Sequence, residues 1–104
     1  MATDAKRYAT FADFYPYYLS EHANRTCRRL HFVGTTLALG LLLSAIVTTN
    51  PWYVLASLVT GYAFAWIGHA FFEKNRPATF TYPVFSFIGD WAMWRDILVG
   101  RMKF

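Results

Sequence analysis

The chain has 104 residues, of which 56% are hydrophobic, 20% aromatic and only 15% charged, and its formal net charge is +4. A soluble domain normally carries about 25% charged residues, so this composition argues against a free-standing soluble domain, and the length allows one domain at most. The charge does not indicate nucleic-acid binding, because the basic residues occur in short flanks beside uncharged stretches, as the positive-inside rule describes. These flanks are Lys6-Arg7, Arg25 with Arg28-Arg29, Lys74 with Arg76, and Arg95 with Arg101 and Lys103.

The N-terminal part is expected to lie at a membrane surface. Its first thirty residues lack the basic tip and continuous apolar run of a secretory signal peptide, so we expect none, and the first membrane span would serve as the insertion signal. Residues 8–18 are aromatic and carry little charge, which is typical of a segment in the headgroup region. Pro16 is expected to break or to start a helix there. Cys27 is the only cysteine, so no disulfide within the chain is possible.

An uncharged stretch, residues 30–72, fills the middle of the chain. It is too long for one core helix of a small soluble protein, but it accommodates two membrane spans of about 18–21 residues and a turn. The turn is expected at residues 48–51, so the spans cover residues 32–49 and 52–72. Small residues recur on both spans, and they predict a closely packed hairpin.

A third apolar stretch, residues 78–94, is interrupted by Pro83 and Asp90. If it crossed the membrane completely, the basic tail after it would lie opposite the other basic flanks, contrary to the positive-inside rule. We therefore expect a Pro-kinked re-entrant or interfacial segment, or a third or fourth helix. The expected fold is all-α, a small integral membrane bundle with two transmembrane helices in a hairpin, an N-terminal interfacial helix and this last segment. Residues 1–104 would form a single domain, and the small-residue faces permit a homodimer.

Two of the three histidines, His31 and His69, occur at the two ends of the uncharged stretch. Counted from the turn at 1.5 Å per residue, their depths in the hairpin agree within roughly 2 Å. Antiparallel helices in contact would therefore bring the two imidazoles side by side. Neutral imidazoles are frequent metal ligands, and polar groups inside a membrane are costly without a partner, so the pair suggests part of a metal site.

His22 is the third candidate ligand, and its use imposes a bend on the chain. In a continuous helix, His22 and His31 would lie about 13 Å apart on opposite sides. They can share a metal only if the chain bends between them, and residues 24–26 are a suitable place because Asn or Thr can cap a helix. Spacing alone gives no established metal motif. Imidazoles that are hydrogen-bonded to headgroups or to the backbone are the alternative.

Two acidic residues are further candidates. Glu73 follows His69 at i+4, so it could ligate a metal, accept a hydrogen bond from a ligating imidazole, or pair with a neighbouring basic residue. Asp90 lies in an apolar context and is either functional or an interfacial helix cap. Three neutral histidines would leave about three octahedral positions open, which suits an Fe(II) centre that binds a substrate and dioxygen. Zinc is the competing metal, and it would imply hydrolysis.

Two blocks of residues carry a family resemblance. The first is FYPYYLSEHANRTCRRLHFVGTT, residues 14–36, and the second is GHAFFEKNRPA, residues 68–78. Together they resemble the fungal 2-hydroxy fatty acid dioxygenase family and its bacterial relatives. The resemblance extends over residues 11–94, which is nearly all of the chain.

This resemblance implies an Fe(II)-dependent membrane dioxygenase of fatty-acid alpha-oxidation, which shortens a 2-hydroxy fatty acid by one carbon and releases carbon dioxide. The family's histidines map onto His22, His31 and His69. On this model, Glu73 and Asp90 assist as reserve ligands or hydrogen-bond acceptors. The residues expected to hold the anionic head of the substrate are Arg25, Arg29 and Arg76.

The implied partners are a 2-hydroxy fatty acid, dioxygen and membrane lipid. The short chain favours a bacterial inner membrane, and the endoplasmic reticulum membrane is the location expected if the source is eukaryotic. Two other classes of protein are left open. One is a non-catalytic membrane scaffold or lipid-binding protein with structural histidines. The other is a haem b protein in which two histidines ligate the iron across the hairpin.

Overall fold

The structure, a computed structural model, describes residues 8–104, so the first basic pair, Lys6-Arg7, lies outside the described residues. These residues form four α-helices: α1 (Phe11–Ser20), α2 (Arg25–Thr48), α3 (Trp52–Ile67) and α4 (Pro83–Leu98). A π-helical turn, Gly68–Glu73, continues α3 without a break, and a 3-10 turn, Ala78–Phe80, precedes α4. The expected all-α fold is confirmed.

Helices α2 and α3 form the predicted hairpin. Thr49 ends α2 in the left-handed region with a φ of 53°, and the Asn50 side chain accepts a hydrogen bond from the Trp52 N–H at the start of α3. Both α2 and the continuous segment Trp52–Glu73 are long and apolar enough to cross a membrane. Only 22% of the apolar window of each is buried inside the molecule. A core helix of a soluble protein would be mostly buried, so the outer faces of the hairpin suit lipid.

Small residues allow the two hairpin helices to approach closely. A Cβ atom added to Gly34 would lie only 2.5 Å from Phe64 Cβ, so glycine is required there. One turn further along α2, the Ala38 carbonyl accepts a 2.8 Å hydrogen bond from the buried Ser57 hydroxyl. The predicted role of small residues in hairpin packing is confirmed, because these contacts join the two helices of one chain.

The chain bends between α1 and α2, as sharing of a metal by His22 and His31 requires. Helix α1 ends at Ser20, and Asn24 caps the new helix by accepting a 3.0 Å hydrogen bond from the Cys27 N–H. Arg28 closes the bend, since its Nη1 donates to the carbonyl oxygens of His22 and Ala23 at 3.3 and 3.0 Å. The predicted bend is confirmed.

The two prolines of interest lie within helices. The expectation that Pro16 breaks or starts a helix is wrong, because Pro16 lies inside α1. Pro16 lies on the exposed side of α1, and the burial of Phe14 and Tyr18 on the opposite side offsets the helical hydrogen bond that proline cannot donate. Pro83 is the first residue of α4, where a missing N–H costs little, so the last segment is a fourth helix that starts at the proline and is not kinked by it.

Helices α1 and α4 pack together over the open end of the hairpin. Their contact is an apolar core with a rim of aromatic rings. The fully or nearly buried members of this core are Phe14, Tyr18, Ala78, Met93 and Ile97. The molecule is therefore wide at the open end, where the histidines lie, and narrow at the turn.

Candidate metal centre

The three histidines come from three segments and meet at the open end of the hairpin. His22 lies in the bend after α1, His31 in the second turn of α2, and His69 in the π-helical turn. All three are buried, with at most 4% of each residue exposed. Their ring centroids are 4.4–5.0 Å apart. The predicted match in depth is confirmed, because the rings of His31 and His69 are neighbours.

The Nε2 atoms of the three rings converge. His22 Nε2 lies 3.1 Å from His31 Nε2 and 3.1 Å from His69 Nε2. One ring nitrogen from each histidine lies within 4.8 Å of the other two. The two 3.1 Å distances are short enough for His22 to share one ion with either neighbour, and the three histidines together form a group that could hold a metal ion.

The other ring nitrogen of His22 and of His31 is held by the backbone. His22 Nδ1 lies 2.6 Å from the Tyr18 carbonyl oxygen, and His31 Nδ1 lies 3.0 Å from the Cys27 carbonyl oxygen. A carbonyl oxygen only accepts hydrogen bonds, so both Nδ1 atoms must donate. In the neutral rings, Nε2 is then unprotonated.

His69 obtains the same tautomer from a side chain. Its Nδ1 lies 2.5 Å from Asn75 Oδ1. The amide orientation of Asn75 follows from its other contacts, because Nδ2 donates to the carbonyl oxygen of Glu21 at 3.1 Å and to Glu21 Oε1 at 3.3 Å. The hydrogen-bond network therefore assigns the proton of His69 to Nδ1 and leaves its Nε2 unprotonated.

Three unprotonated nitrogens that face one another fit a bound cation. No hydrogen can lie on either 3.1 Å line, since both atoms are acceptors. Because bonds between a metal and an imidazole nitrogen are about 2.0–2.1 Å long, two nitrogens 3.1 Å apart can both reach one ion. The space beside the rings measures about 10 Å³, which accommodates one water-sized particle. The donor set therefore fits one divalent ion with open positions.

This spacing does not fit a haem between two histidines. In such a haem, the two ligating nitrogens lie on opposite faces of the porphyrin ring. His22 Nε2 lies 3.1 Å from the Nε2 atoms of both His31 and His69, the pair that faces across the hairpin. A porphyrin between His31 and His69 would therefore collide with the His22 ring.

The environment of His22 keeps its imidazole neutral. Burial is the main cause, and the neighbouring His31 adds to it, so the pKa of His22 lies well below its usual range although the hydrogen bond to Tyr18 opposes the shift. A neutral imidazole is the form that binds a metal, so the site needs little free energy to deprotonate this ligand.

The π-helical turn sets the position of His69. It ends where Lys74 adopts the left-handed conformation with a φ of 59°, and the chain then turns back so that the Asn75 N–H donates to the His69 carbonyl oxygen at 3.1 Å. This reversal brings the Asn75 side chain to His69 Nδ1. It also removes Arg76 from the helix face that it would have shared with His69 and Glu73 in a continuous α-helix.

Tyr18 and Asp90 form a hydrogen-bonded pair against the histidines. The Tyr18 ring stacks on His22 with centroids 4.1 Å apart, and the Tyr18 hydroxyl donates to Asp90 Oδ1. Burial raises the pKa of Asp90 to about 7, against the opposite effect of the Tyr18 hydrogen bond. Asp90 borders the small space beside the rings and a larger cavity of about 240 Å³ between α2 and α3.

Ser86 supplies an unused hydroxyl at the same place. The residue is 2% exposed and borders the small space beside the three rings. Its Oγ has no hydrogen-bond partner among the described residues. A buried hydroxyl without a partner is costly, so this atom is suited to a ligand that enters the site.

The remaining candidates from the sequence lie away from the three Nε2 atoms. Glu73 Oε1 accepts a 2.7 Å hydrogen bond from the Asn24 N–H, which links the start of α2 to the end of the π-helical turn. The Nε atoms of Arg25 and Arg29 donate to the Phe104 carbonyl oxygen at 3.1 and 3.3 Å. Arg76 lies over the Phe80 ring at 5.1 Å. These three arginines are exposed and border neither cavity.

Four residues around the site were not singled out from the sequence. Tyr18 could have been found, because it lies one helical turn before His22. No local pattern indicates Asn75, since its contact with His69 depends on the π-helical turn and the reversal at Lys74. The other two are Ser86 and Arg28, which are placed by tertiary packing.

Comparison with known proteins identifies one match. A family model described as 2-hydroxy-palmitic acid dioxygenase Mpo1-like matches residues 8–102. No curated protein and no solved structure matches the chain. The matched region includes the bend, both hairpin helices and α4, and therefore every residue described above around the three histidines except Phe104.

Proposed function

The chain belongs to the 2-hydroxy-palmitic acid dioxygenase Mpo1-like family, and on that basis we propose that it is an Fe(II)-dependent membrane dioxygenase of 2-hydroxy fatty acids. Its reaction would be alpha-oxidation, which yields the fatty acid shorter by one carbon. The observation that carries this proposal is the convergence of three unprotonated Nε2 atoms at one end of an apolar cavity. Residues 1–104 would act as one membrane-embedded domain.

The proposed reaction balances without an external reductant. One 2-hydroxy acid and one dioxygen give the shortened acid, carbon dioxide and water. The bond between carbons 1 and 2 breaks, carbon 1 leaves as carbon dioxide, and carbon 2 becomes the new carboxyl carbon. Dioxygen accepts the four electrons that the two carbons lose. Ferrous iron held by His22, His31 and His69 would supply dioxygen activation and sites for the oxygen atoms of the substrate.

Asp90, Tyr18 and Ser86 are proposed to handle the polar head of the substrate. The Tyr18 hydroxyl occupies Asp90 Oδ1, which leaves Oδ2 to accept the proton of the 2-hydroxyl group. A carboxyl with a pKa of about 7 can take up and release a proton near neutral pH. The Ser86 hydroxyl would donate a hydrogen bond to the substrate carboxylate.

The arginines and Glu73 are proposed to act at a distance from the reacting atoms. Arg25, Arg29 and Arg76 would attract the anionic acid to the open end of the hairpin from the membrane surface. Glu73 would act as a positioning residue, since its hydrogen bond to the Asn24 N–H ties the segment of His31 to the segment of His69.

Metal analysis of purified protein tests the ligand set. We expect one iron per chain after anaerobic Fe(II) loading, and loss of that iron in each of the variants His22→Ala, His31→Ala and His69→Ala. Ser44→Ala is the control and should retain iron, because Ser44 lies near the turn end of α2, away from the histidines. Stoichiometric iron in any one histidine variant would sink the three-ligand model, and tight zinc with no iron would favour the hydrolytic alternative.

Product analysis tests the reaction. Iron-loaded protein and 2-hydroxypalmitate under oxygen should yield pentadecanoic acid and carbon dioxide, whereas palmitate, which lacks the 2-hydroxyl group, should yield neither. The absence of product from all 2-hydroxy acids, together with histidine variants that change only stability, would favour a non-catalytic lipid-binding protein.

A further inference from the structure

An apolar furrow leads from the histidines along the hairpin. One wall is α2 from His31 to Leu42, and the other is α3 from Val54 to Ala65. Helix α4 closes only the end beside the histidines, through residues that include Phe87 and Trp91. We call this cavity of about 240 Å³ the hairpin furrow.

The hairpin furrow has a defined length. Since α2 and α3 are antiparallel, His31 lies opposite Ala65 at one end, and Leu42 lies opposite Val54 at the other. At 1.5 Å per residue, each wall is about 16 Å long. A linear chain that advances about 1.2 Å per bond would need about 13 bonds to span it.

The hairpin furrow is polar at one end and apolar beyond it. His31 and Asp90 border the closed end. Beyond the middle of the furrow, toward its far end, the Ser57 hydroxyl donates to the Ala38 carbonyl oxygen, so this polar group is already satisfied within the wall. The far end is bordered by Leu42 and Val54. A ligand with one polar end and a long unbranched apolar tail matches this distribution.

We propose that the hairpin furrow holds the acyl tail of the substrate in an extended form. The 2-hydroxy acid head lies at the histidines, and the last tail carbons lie between Leu42 and Val54. About 13 bonds counted from carbon 2 correspond to an acid of about 15 or 16 carbons, which agrees with the palmitic acid in the description of the matched family. The identity of the head group rests on the proposed function, whereas the position of the tail rests on the furrow.

The missing side chain of Gly61 leaves the furrow open to a long tail. Gly61 lines the furrow one turn from Ala65, near the histidine end. A Cβ atom added there would lie 3.7 Å from Ala38 Cβ, an ordinary van der Waals contact, so a Cβ fits at this position without a clash. A branched side chain longer than alanine would extend into the furrow and leave space for only the first few tail carbons.

Photo-crosslinking tests the position of the tail. The probes are two 2-hydroxypalmitic acids with a diazirine at carbon 4 or at carbon 15, added to iron-loaded protein without oxygen so that no turnover occurs. The carbon-4 probe should label Thr35 or Ala65, and the carbon-15 probe should label Leu42 or Val54. Equal labelling patterns for the two probes, or labelling spread over exposed hairpin residues such as Ile46 and Val59, would overturn the proposal.

A substitution at Gly61 tests the limit on chain length. In Gly61→Leu, we expect the carbon-15 label to disappear, and the ratio of kcat/KM for 2-hydroxypalmitate over 2-hydroxyhexanoate to fall about tenfold or more. The control is Gly40→Leu, because no atom lies within 4 Å of a Cβ added to Gly40. A Gly61→Leu protein that keeps both the label and the wild-type ratio would refute the tail site. If wild-type protein oxidises no 2-hydroxy acid, the proposed function fails, and the crosslinks still decide where the tail binds.

Discussion

The tautomers of the three histidines are set by neighbouring oxygen atoms, which hold a proton on each Nδ1 and leave the Nε2 atoms facing one another. Two of these oxygens belong to main-chain carbonyls of the residues four positions before His22 and His31. Such contacts follow from helical geometry and survive most substitutions. The third belongs to the Asn75 side chain, so the tautomer of His69 depends on one replaceable residue.

Replacement of Asn75 by alanine should weaken metal binding. His69 would lose the acceptor that holds its proton on Nδ1, and Glu21 would lose its link to the π-helical turn. Loss of such a partner typically reduces metal affinity about 10–100-fold. Competition with a chelator measures the change. Asn50→Ala, in the turn far from the site, is the control. Equal affinities for wild type and Asn75→Ala would show that the backbone alone orients His69.

Replacement of Ser86 by alanine should weaken substrate binding without lowering the stability of the protein. The variant loses a buried hydroxyl that has no partner among the described residues, so the protein without substrate should be as stable as wild type or more stable by about 1 kcal/mol. A hydrogen bond to a charged group contributes about 1.5–3 kcal/mol, so KM for 2-hydroxypalmitate should rise about tenfold or more. Thermal unfolding in detergent and steady-state kinetics measure the two effects. An unchanged KM would place the substrate carboxylate elsewhere.

The elements differ in how far the sequence determines them. The hairpin is determined by its own local sequence, because a long uncharged stretch and a turn with Asn50 and Pro51 suffice to predict it. The bend before α2 was predictable because His22 and His31 can share a metal only across it. The π-helical turn was not, since its residues are compatible with an α-helix. It accompanies close packing of Gly68 against Cys27, where an added Cβ would lie 3.0 Å from the sulfur.

The packing of α4 on α1 makes Gly89 a sensitive position. A Cβ atom there would lie 2.9–3.2 Å from three atoms of the Tyr18 ring, which stacks on His22. Gly89→Ala should therefore displace Tyr18 and weaken metal binding about tenfold, and the overpacking cost of about 1–3 kcal/mol should exceed the gain in helix propensity. Chelator competition and thermal unfolding provide the measurements. Gly40→Ala is the control, because open space surrounds its new Cβ. It should lower neither the metal affinity nor the stability. A Gly89→Ala protein with wild-type metal affinity would argue against a role for Tyr18 in holding His22.

The whole molecule divides into a wide end that holds the three histidines and a narrow end whose apolar surface is exposed. Its long dimension is 48 Å against 26 Å in the other two directions, and the residues near the hairpin turn, such as Val47 and Trp52, are largely exposed. Charge and hydropathy predicted this division. They could not predict that α1 and α4 cover the histidines, because the contacts of Tyr18 with Asp90 and of Tyr15 with Asp96 join residues far apart in the sequence.

The contact between α1 and α4 should make stability depend on pH through Asp96. Tyr15 donates to Asp96 Oδ2 at 2.7 Å, and Arg95 donates to Oδ1 at 3.0 Å. Burial raises the pKa of Asp96, but these hydrogen bonds and the positive charge of Arg95 outweigh it, so the pKa lies below its usual range. A carboxyl with a lowered folded-state pKa stabilises the fold above its unfolded-state pKa of about 3.9, and this contribution is lost as pH falls through the folded-state value.

Asp96→Asn should therefore lower the free energy of unfolding by roughly 1–2 kcal/mol at pH 7, and the difference from wild type should shrink as the pH falls below about 4. Thermal unfolding in detergent across this range measures it. Contributions from groups that both proteins share cancel in the difference between the two curves, which therefore reports on Asp96. Asp13→Asn, with an exposed side chain in the first turn of α1, is the matched control. A difference between wild type and Asp96→Asn that stays constant from pH 7 to pH 3 would mean that the charge of Asp96 does not hold α1 against α4.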